Sequence, residues 1–357
     1  MIGDRDTRKR RAPWRAGRIA PAVAASAFLA VSWPAHAAHP LSYLSGHGTK
    51  SYSVVQLTWG LLAISIIVVV VVSVLLLAGL LRQRPGPAVT DPKLVPPRRP
   101  QAGLGWIYIG TAISAVALFG SAIWTFSVLA AVSVPRAAAA DFKIDIVGHQ
   151  WWWEVRYAAA KTPMRNVVTA NEIHIPTGRP IRFVVQTADV IHSFWVPGLS
   201  GKMEAIPGQY NELWLEADQP GVYRGQCSEY CGQQHAHMGF VLVAERPDRF
   251  QSWWDHQLAP APPPDSALSV RGEAAFIANC GICHTVNGTA AGGRIGPDLT
   301  HLMGRLELAA GTLPNTIGYL SGWIADPQRI KPGNQMPTLT LSGPQLTDIR
   351  AFLETLQ

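Results

Sequence analysis

Two thiols, two imidazoles and a thioether crowd into one short run, Cys227-Ser228-Glu229-Tyr230-Cys231-Gly232-Gln233-Gln234-His235-Ala236-His237-Met238. Another histidine, His192, stands upstream in Asp189-Val190-Ile191-His192-Ser193-Phe194-Trp195. Thiolate, thioether and imidazole donors together favour copper over hard cations. Each cysteine is able to bridge, so the pair can hold two ions rather than one. Such a centre moves electrons and does not by itself transform a substrate. Two plainer arrangements use some of the same residues. Cys227 and Cys231 can pair as a disulfide in an oxidising compartment, and two cysteines with two histidines are also a zinc set. Zinc has no use for Met238, and a disulfide needs neither histidine. His237 reads as a surface histidine.

A second chemical signature lies in the last ninety or so residues. Cys280-Gly281-Ile282-Cys283-His284 has the Cys-x-x-Cys-His spacing of covalent c-type haem attachment, with His284 as one iron ligand. A dithiol redox pair or a zinc site is the alternative, and neither accounts for His284. Met303 and Met336 are the two methionines available in this region as a second axial ligand. Met336 lies in Lys331-Pro332-Gly333-Asn334-Gln335-Met336-Pro337, a segment with no helical constraint; Met303 reads as core packing.

The upstream run resembles the binuclear copper site, CuA, of cytochrome c oxidase subunit II. The family pattern is a distant His, then Cys-x-Glu-x-Cys-Gly-x-x-His-x-x-Met, and every position is filled here. The resemblance implies that Cys227 and Cys231 bridge two coppers and that His192 and His235 bind one each. It makes Met238 a weak ligand to one copper and the Glu229 carbonyl a weak ligand to the other. The Glu229 side chain would face a magnesium site shared with subunit I. Gly148-His149-Gln150-Trp151-Trp152-Trp153 resembles the family's Gly-x-Gln-Trp-x-Trp element, which makes Trp151 the surface tryptophan where electrons arrive from a cytochrome c. The plainer reading of Trp151 is packing against subunit I. The tail resembles a class I cytochrome c, in which the Met of a Met-Pro after a Pro-Gly turn, here Met336, is the distal ligand. There, Gly296-Pro297-Asp298-Leu299 supplies the carbonyl that orients the proximal histidine. His301 reads as a solvent histidine. Two departures stand out. Glu204 and Gln209 replace the family's Asp and Arg in the Lys202 to Gln209 segment, which puts charge pairing with subunit I in doubt there. No acidic residue lies between Lys93 and Pro135, so a proton-uptake role is unsupported.

These residues need a scaffold and a side of the membrane. Ser51 to Leu81 and Gln101 to Pro135 carry no charge, and each exceeds the roughly 20 apolar residues of a membrane span. The expectation is a helical hairpin over residues 38–136, with spans at about 54–81 and 103–134. The connecting segment holds Pro96-Pro97, which interrupts a helix, and its basic charge marks it as a cytoplasmic loop. Residues 1–18 and 82–99 together carry a charge of +9 against +7 for the whole chain. The remainder is slightly acidic, which gives nucleic-acid binding no support. Residues 1–37 read as a signal peptide, with Arg8-Lys9-Arg10-Arg11, an apolar stretch, and Ala35-His36-Ala37 as the cleavage site; an uncleaved anchor is the alternative. This topology places everything after Val134, with all four cysteines, on the periplasmic or outer face of a bacterial inner membrane.

Residues 137–256 carry a set of short β-rich runs: Phe142 to Gly148, Glu172 to Ile175, Ile181 to Val185, Glu212 to Leu215, Gly221 to Gly225 and Gly239 to Val243. Frequent Gly and Pro breaks between them indicate a sandwich or barrel. By resemblance this is a cupredoxin-like Greek-key barrel with copper ligands on loops at one end. Residues 257–267 form a Pro-rich linker, and 268–357 an all-α cytochrome c domain closed by an amphipathic helix over Gln345 to Leu356. The chain is therefore expected to be multidomain: transmembrane α-helical hairpin, all-β barrel, all-α tail. The function expected is that of subunit II of a haem-copper oxidase in a proton-translocating respiratory chain. Electrons come from a donor cytochrome c through haem c and CuA, and the partners are subunit I, the other oxidase subunits and the membrane. The alternatives are a CuA-containing nitric oxide reductase subunit and a stand-alone membrane-anchored electron carrier. A quinol oxidase subunit is disfavoured, because such relatives lack the copper ligands. No nucleophile–base or paired-carboxylate arrangement stands out, so the chain has no complete active site of its own.

Overall fold

The computed structural model describes residues 41–82, 103–133, 142–159 and 166–357. The signal-peptide reading and the loop holding Pro96-Pro97 fall outside those residues. Two long helices come first, α1 (Thr49–Leu81) and α2 (Leu104–Ser133). Both are long and apolar enough to cross a membrane, and their most apolar stretches are wholly unburied by protein. A helix of 30 residues reaches about 45 Å, beyond the ~30 Å of a bilayer's hydrocarbon core. The helices pack at Gly60, where a Cβ would sit 2.2 Å from the Trp124 ring. A small residue is what allows the two backbones to approach there.

Ten strands follow: β1 (Phe142–His149), β2 (Trp152–Ala159), β3 (Val167–Ala170), β4 (Glu172–Pro176), β5 (Ile181–Thr187), β6 (His192–Trp195), β7 (Met203–Ala205), β8 (Asn211–Leu215), β9 (Gly221–Cys227) and β10 (Gly239–Glu245). They form two five-stranded sheets, in the orders β3-β2-β1-β5-β8 and β4-β10-β9-β6-β7. Pairing is antiparallel except for β1 with β5 and β10 with β4. The cupredoxin-like two-sheet expectation holds. The core between the sheets includes Ile144, Trp153, Phe183, Phe194 and Phe240. Trp153 contacts Phe194 and Phe240 edge-on, with ring centroids 5.7 and 5.8 Å apart. Gly225 leaves room for Phe240, whose ring would lie 2.1 Å from a Cβ at that position. Helix α3 (Pro247–Gln257) then closes one flank with Trp254.

The tail is built on α4 (Ala267–Asn279), α5 (Ile317–Ala325), α6 (Pro327–Ile330) and α7 (Gly343–Leu353), with a two-residue hairpin at Glu307–Leu308 and Leu313–Pro314. Helices α4 and α7 touch at Gly272, where a Cβ would meet the Asp348 carbonyl at 1.9 Å. Helix α7 begins two residues before the expected Gln345, because the Ser342 hydroxyl accepts from the Gln345 amide and Pro344 sits in the first turn. It ends at Leu353, while Leu356, beyond it, is still fully buried.

The tail lies directly on the β domain. The Gly239 amide donates to the Ala310 carbonyl at 2.9 Å. Arg224 pairs with Glu307 and donates to the Gly311 carbonyl at 2.9 Å. Glu172, which also accepts from His174, takes the Leu306 amide at 2.7 Å. His301 is buried, against the expectation of a solvent histidine: its ring nitrogens contact the Gln357 and Ala259 carbonyls at 2.7 and 3.1 Å. It ties the Pro-rich segment to the end of the tail.

Candidate metal and haem centres

The first centre gathers at one end of the two-sheet domain. Cys227 is the last residue of β9 and Met238 immediately precedes β10, so the sheet register holds both ends of the metal loop. The Cys227 amide donates to the Met238 carbonyl at 3.0 Å and closes that loop. Between them lie Cys231 and a short 3-10 turn, His235–His237. The expectation of ligands on loops is corrected at two residues: Cys227 ends strand β9, and His192 opens strand β6. His192 is the first residue of β6, paired with Ala205 of β7, and is fully buried.

Cys227 Sγ and Cys231 Sγ are 3.7 Å apart. A disulfide requires about 2.05 Å, so these are two free thiols. His192 Nδ1 lies 3.9 Å from Cys227 Sγ, and His235 Nδ1 lies 3.5 Å from Cys231 Sγ. Met238 Sδ is 3.8 Å from Cys231 Sγ, and the Glu229 carbonyl oxygen is 3.3 Å from Cys227 Sγ. The donors are therefore arranged about two ends, with the sulfurs in the middle and one imidazole and one weak donor at each end. His192, Cys227 and Cys231 place ligand atoms within 4.8 Å of one another, and His235 falls outside that set. A single tetrahedral zinc draws all its donors to one point, so the arrangement suits two soft ions better. The hydrogen bond from Cys231 draws the Cys227 pKa down, outweighing burial, while the same contact raises Cys231. One thiolate is thus already favoured, as metal ligation demands.

Asp189 lies behind His192, its carboxylate 2.8 Å from Nε2. It leaves Nδ1 to face the sulfurs, which is the usual way a ligating imidazole is oriented. The residue stands three before His192, but that spacing in a loop carries no signal of its own; only the register of β6 reveals the role. His237 is exposed and bonded to Gln234 Oε1 at 2.7 Å, in keeping with a surface role. Glu204 and Gln209 are both exposed. The Glu229 side chain is exposed as well.

The second centre is a cavity of about 330 Å³ in the tail. Cys280 caps α4, and the His284 amide donates to the Cys280 carbonyl at 3.0 Å. Cys280, Cys283, His284 and Met336 all line the cavity, among apolar side chains that include Leu320, Trp323, Ile349 and Leu353. Met303 does not line it and packs against the tail core instead. The His284 Nδ1 lies 2.8 Å from the Pro297 carbonyl, which points Nε2 towards the cavity. Burial lowers the His284 pKa and favours the neutral, ligating form. Gly296 is required here, because a Cβ would sit 2.6 Å from the imidazole. Two thiols, a fixed imidazole and a thioether around an apolar slot fit a covalently held haem.

Trp151 is placed differently from the surface position expected of it. It lies in the turn between β1 and β2 and is only 8% exposed. Its Nε1 donates to the Cys231 carbonyl at 3.0 Å, and Gln150 Nε2 donates to the same oxygen at 2.8 Å. Its other side lines the haem cavity. The docked tail is what covers it. Of the three tryptophans, Trp152 is the partly exposed one, stacked on His149 at 4.4 Å. A turn residue is not bound by the alternation that governs a strand.

A cluster of sulfur and imidazole donors on a two-sheet domain, joined to an apolar pocket walled by two thiols, an imidazole and a thioether, gives the chain two candidate cofactor centres. Comparison with known proteins sharpens this. Residues 158–245 match the family described as cytochrome C oxidase subunit II, periplasmic domain, and residues 269–357 match cytochrome c. Cytochrome c oxidase subunit 2 of Alkalihalophilus pseudofirmus is 38% identical over 216 residues, covering 60% of this chain and 61% of the relative. The Bacillus subtilis protein of the same name is 30% identical over 223 residues, 60% of each chain. The chain spans about three fifths of the length of these two relatives. Among solved structures, the periplasmic domain of subunit II of cytochrome oxidase from Bradyrhizobium japonicum is 33% identical. That match covers 35% of this chain and 96% of that one, with a TM-score of 0.32. One chain thus carries, in order, a match to the cytochrome c oxidase subunit II periplasmic domain and a match to cytochrome c. The first domain implies copper and the second implies haem.

Proposed function

We propose that this chain is subunit II of a haem-copper cytochrome c oxidase, working as a two-centre electron relay. The observation that carries the reading is Trp151, whose indole meets the Cys231 carbonyl on one side and the haem cavity on the other. When bound, a copper pair and a haem supply one-electron couples that neither domain has on its own. The chain's residues do the rest. Cys227, Cys231, His192, His235, Met238 and the Glu229 carbonyl hold copper. Cys280 and Cys283 would anchor haem, and His284 and Met336 would hold its iron. Met/His ligation raises a haem's potential, which suits a carrier on the way to oxygen.

In this reading electrons come from a donor cytochrome c to the tail, pass the Trp151 contact, and leave towards haems in subunit I, where oxygen is reduced. The apolar hairpin anchors the chain in a bacterial inner membrane with both domains on the periplasmic side. Its unburied apolar helices support a lipid or partner-subunit environment. The exposed Glu229 carboxylate is free to contribute to a magnesium site shared with subunit I. The test is to purify the tagged full chain from membranes in mild detergent. Co-purification of an oxygen-reducing haem-copper subunit, with oxygen uptake driven by reduced cytochrome c, is expected. Isolation of a stable monomer with no partner would support a stand-alone carrier. A partner that reduces nitric oxide instead would reassign the complex.

A further inference from the structure

Lys331 is the residue whose burial the relay has not yet explained. It follows α6 at the head of the Met336 loop and is 3% exposed. Its partners are carbonyls rather than a carboxylate: Nζ donates to Trp151 O at 2.7 Å and to Ala309 O at 3.1 Å. It also lines the haem cavity. Burying an ammonium against neutral acceptors is costly, and here burial pulls its pKa down to about 7. The neighbouring residues repeat the contact. The Pro332 carbonyl accepts from Gln234 Nε2 at 2.7 Å, and Gln234 lies inside the copper loop between Cys231 and His235. Gly333, at φ +82°, sits against Gln233, where a Cβ would come within 2.8 Å of Oε1. The loop that carries Met336 is thus seated on the loop that carries Cys231 and His235, and the Lys331 Nζ donor pins it there.

We propose that Lys331 is a positioning residue for electron transfer within this chain, fixing Trp151 and the Met336 loop in one register against the copper loop. The proposal rests on the relay function above. One electron leaves the tail centre and one arrives at the copper centre; no bond is made or broken, and Lys331 is neither oxidised nor reduced. Lys331→Met keeps the apolar stem and removes the donor, while Lys331→Gln keeps an N–H donor without the charge.

The test uses the full chain loaded with copper and haem, reduced rapidly at the tail and followed by absorbance at both centres. Electron transfer slows as the path between two centres lengthens or loosens, so Lys331→Met is expected to slow internal transfer several-fold. Metal content and both resting spectra should stay unchanged, and Lys331→Gln should recover part of the rate. A second readout needs no loaded centre. Hydrogen exchange at the Gly239 amide, which donates across the interface to Ala310, should quicken in Lys331→Met. A wild-type rate in Lys331→Met with both centres loaded overturns the proposal. Absence of internal transfer in the wild type would defeat the relay reading itself; unchanged Gly239 protection in Lys331→Met would then overturn the positioning role separately. If Lys331→Met loses either centre, the rate in Lys331→Gln decides, and a wild-type value with unchanged Gly239 protection overturns the proposal.

Discussion

One cysteine of the copper-loop pair and one of the tail pair are shifted in opposite directions. Cys227 is drawn towards the thiolate by the hydrogen bond from Cys231. Cys280 is pushed up to about 11, by burial first and then by the neighbouring Cys283. A metal needs thiolate ligands, whereas attachment to a haem vinyl group adds a sulfur and a proton. Geometry follows the same division. The copper donors converge within about 4 Å before any ion is considered. The haem ligands instead stand around a cavity of about 330 Å³. A small ion needs donors at one place; a large planar group needs a volume with ligands on its walls. Two sheets in fixed register suit the first, and separate helices joined by loops suit the second.

The largest effect that separates the two sites should come from Met336→Ala. The haem stays attached through Cys280 and Cys283, its spectrum changes, and its potential falls by about 0.2 V, a fraction of the roughly 0.8 V that axial ligands span. Redox titration with copper content measured in parallel checks this, and the copper site should be untouched. An unchanged haem spectrum would hand the distal position to Met303.

Asp189→Asn should do the converse. It keeps the shape of the His192 contact and removes the charge behind the ring. Loss of such a supporting partner typically costs about 10–100-fold in metal affinity, readable by competition with a chelator, with no change at the haem. Equal loss at both sites would mean the domains are not independent in the way the comparison requires.

The smallest effect is on pH stability and belongs to the two-sheet domain alone. Burial disfavours the Glu154 carboxylate, but His149 and Arg156 outweigh it and lower its pKa from 4.5 to about 2. A depressed carboxylate stabilises the fold fully above pH 4.5, and that contribution is lost as pH falls towards 2. Acid unfolding of Glu154→Gln, followed by circular dichroism, should be shallower across that window than in the wild type. A wild-type slope would remove Glu154 from the account.

Most of both candidate ligand sets could be named from the sequence, because each is compact along the chain and chemically unusual. Five of the six proposed copper donors fall between Cys227 and Met238, and three of the proposed haem contacts fall between Cys280 and His284. The two long helices were equally plain, since uncharged runs of that length leave few alternatives. What the sequence did not disclose depends on docking. Trp151 looked like a surface residue because nothing local shows that the tail covers it. His301 looked solvated because its partners, Ala259 and Gln357, are 42 and 56 residues away. Strands β2, β3, β6 and β7 escaped notice; the last three are each only three or four residues long, and β6 carries His192 itself. Lys331 was read only as part of the Met336 loop, since a lysine beside a proline-glycine turn is ordinarily exposed.

The central claim is that one chain holds a two-copper thiolate centre next to a haem centre. The most direct measurement is metal and haem analysis of the purified chain, quantified against protein. Two coppers and one covalently attached haem per chain are expected. A single zinc, or no copper, would contradict the claim.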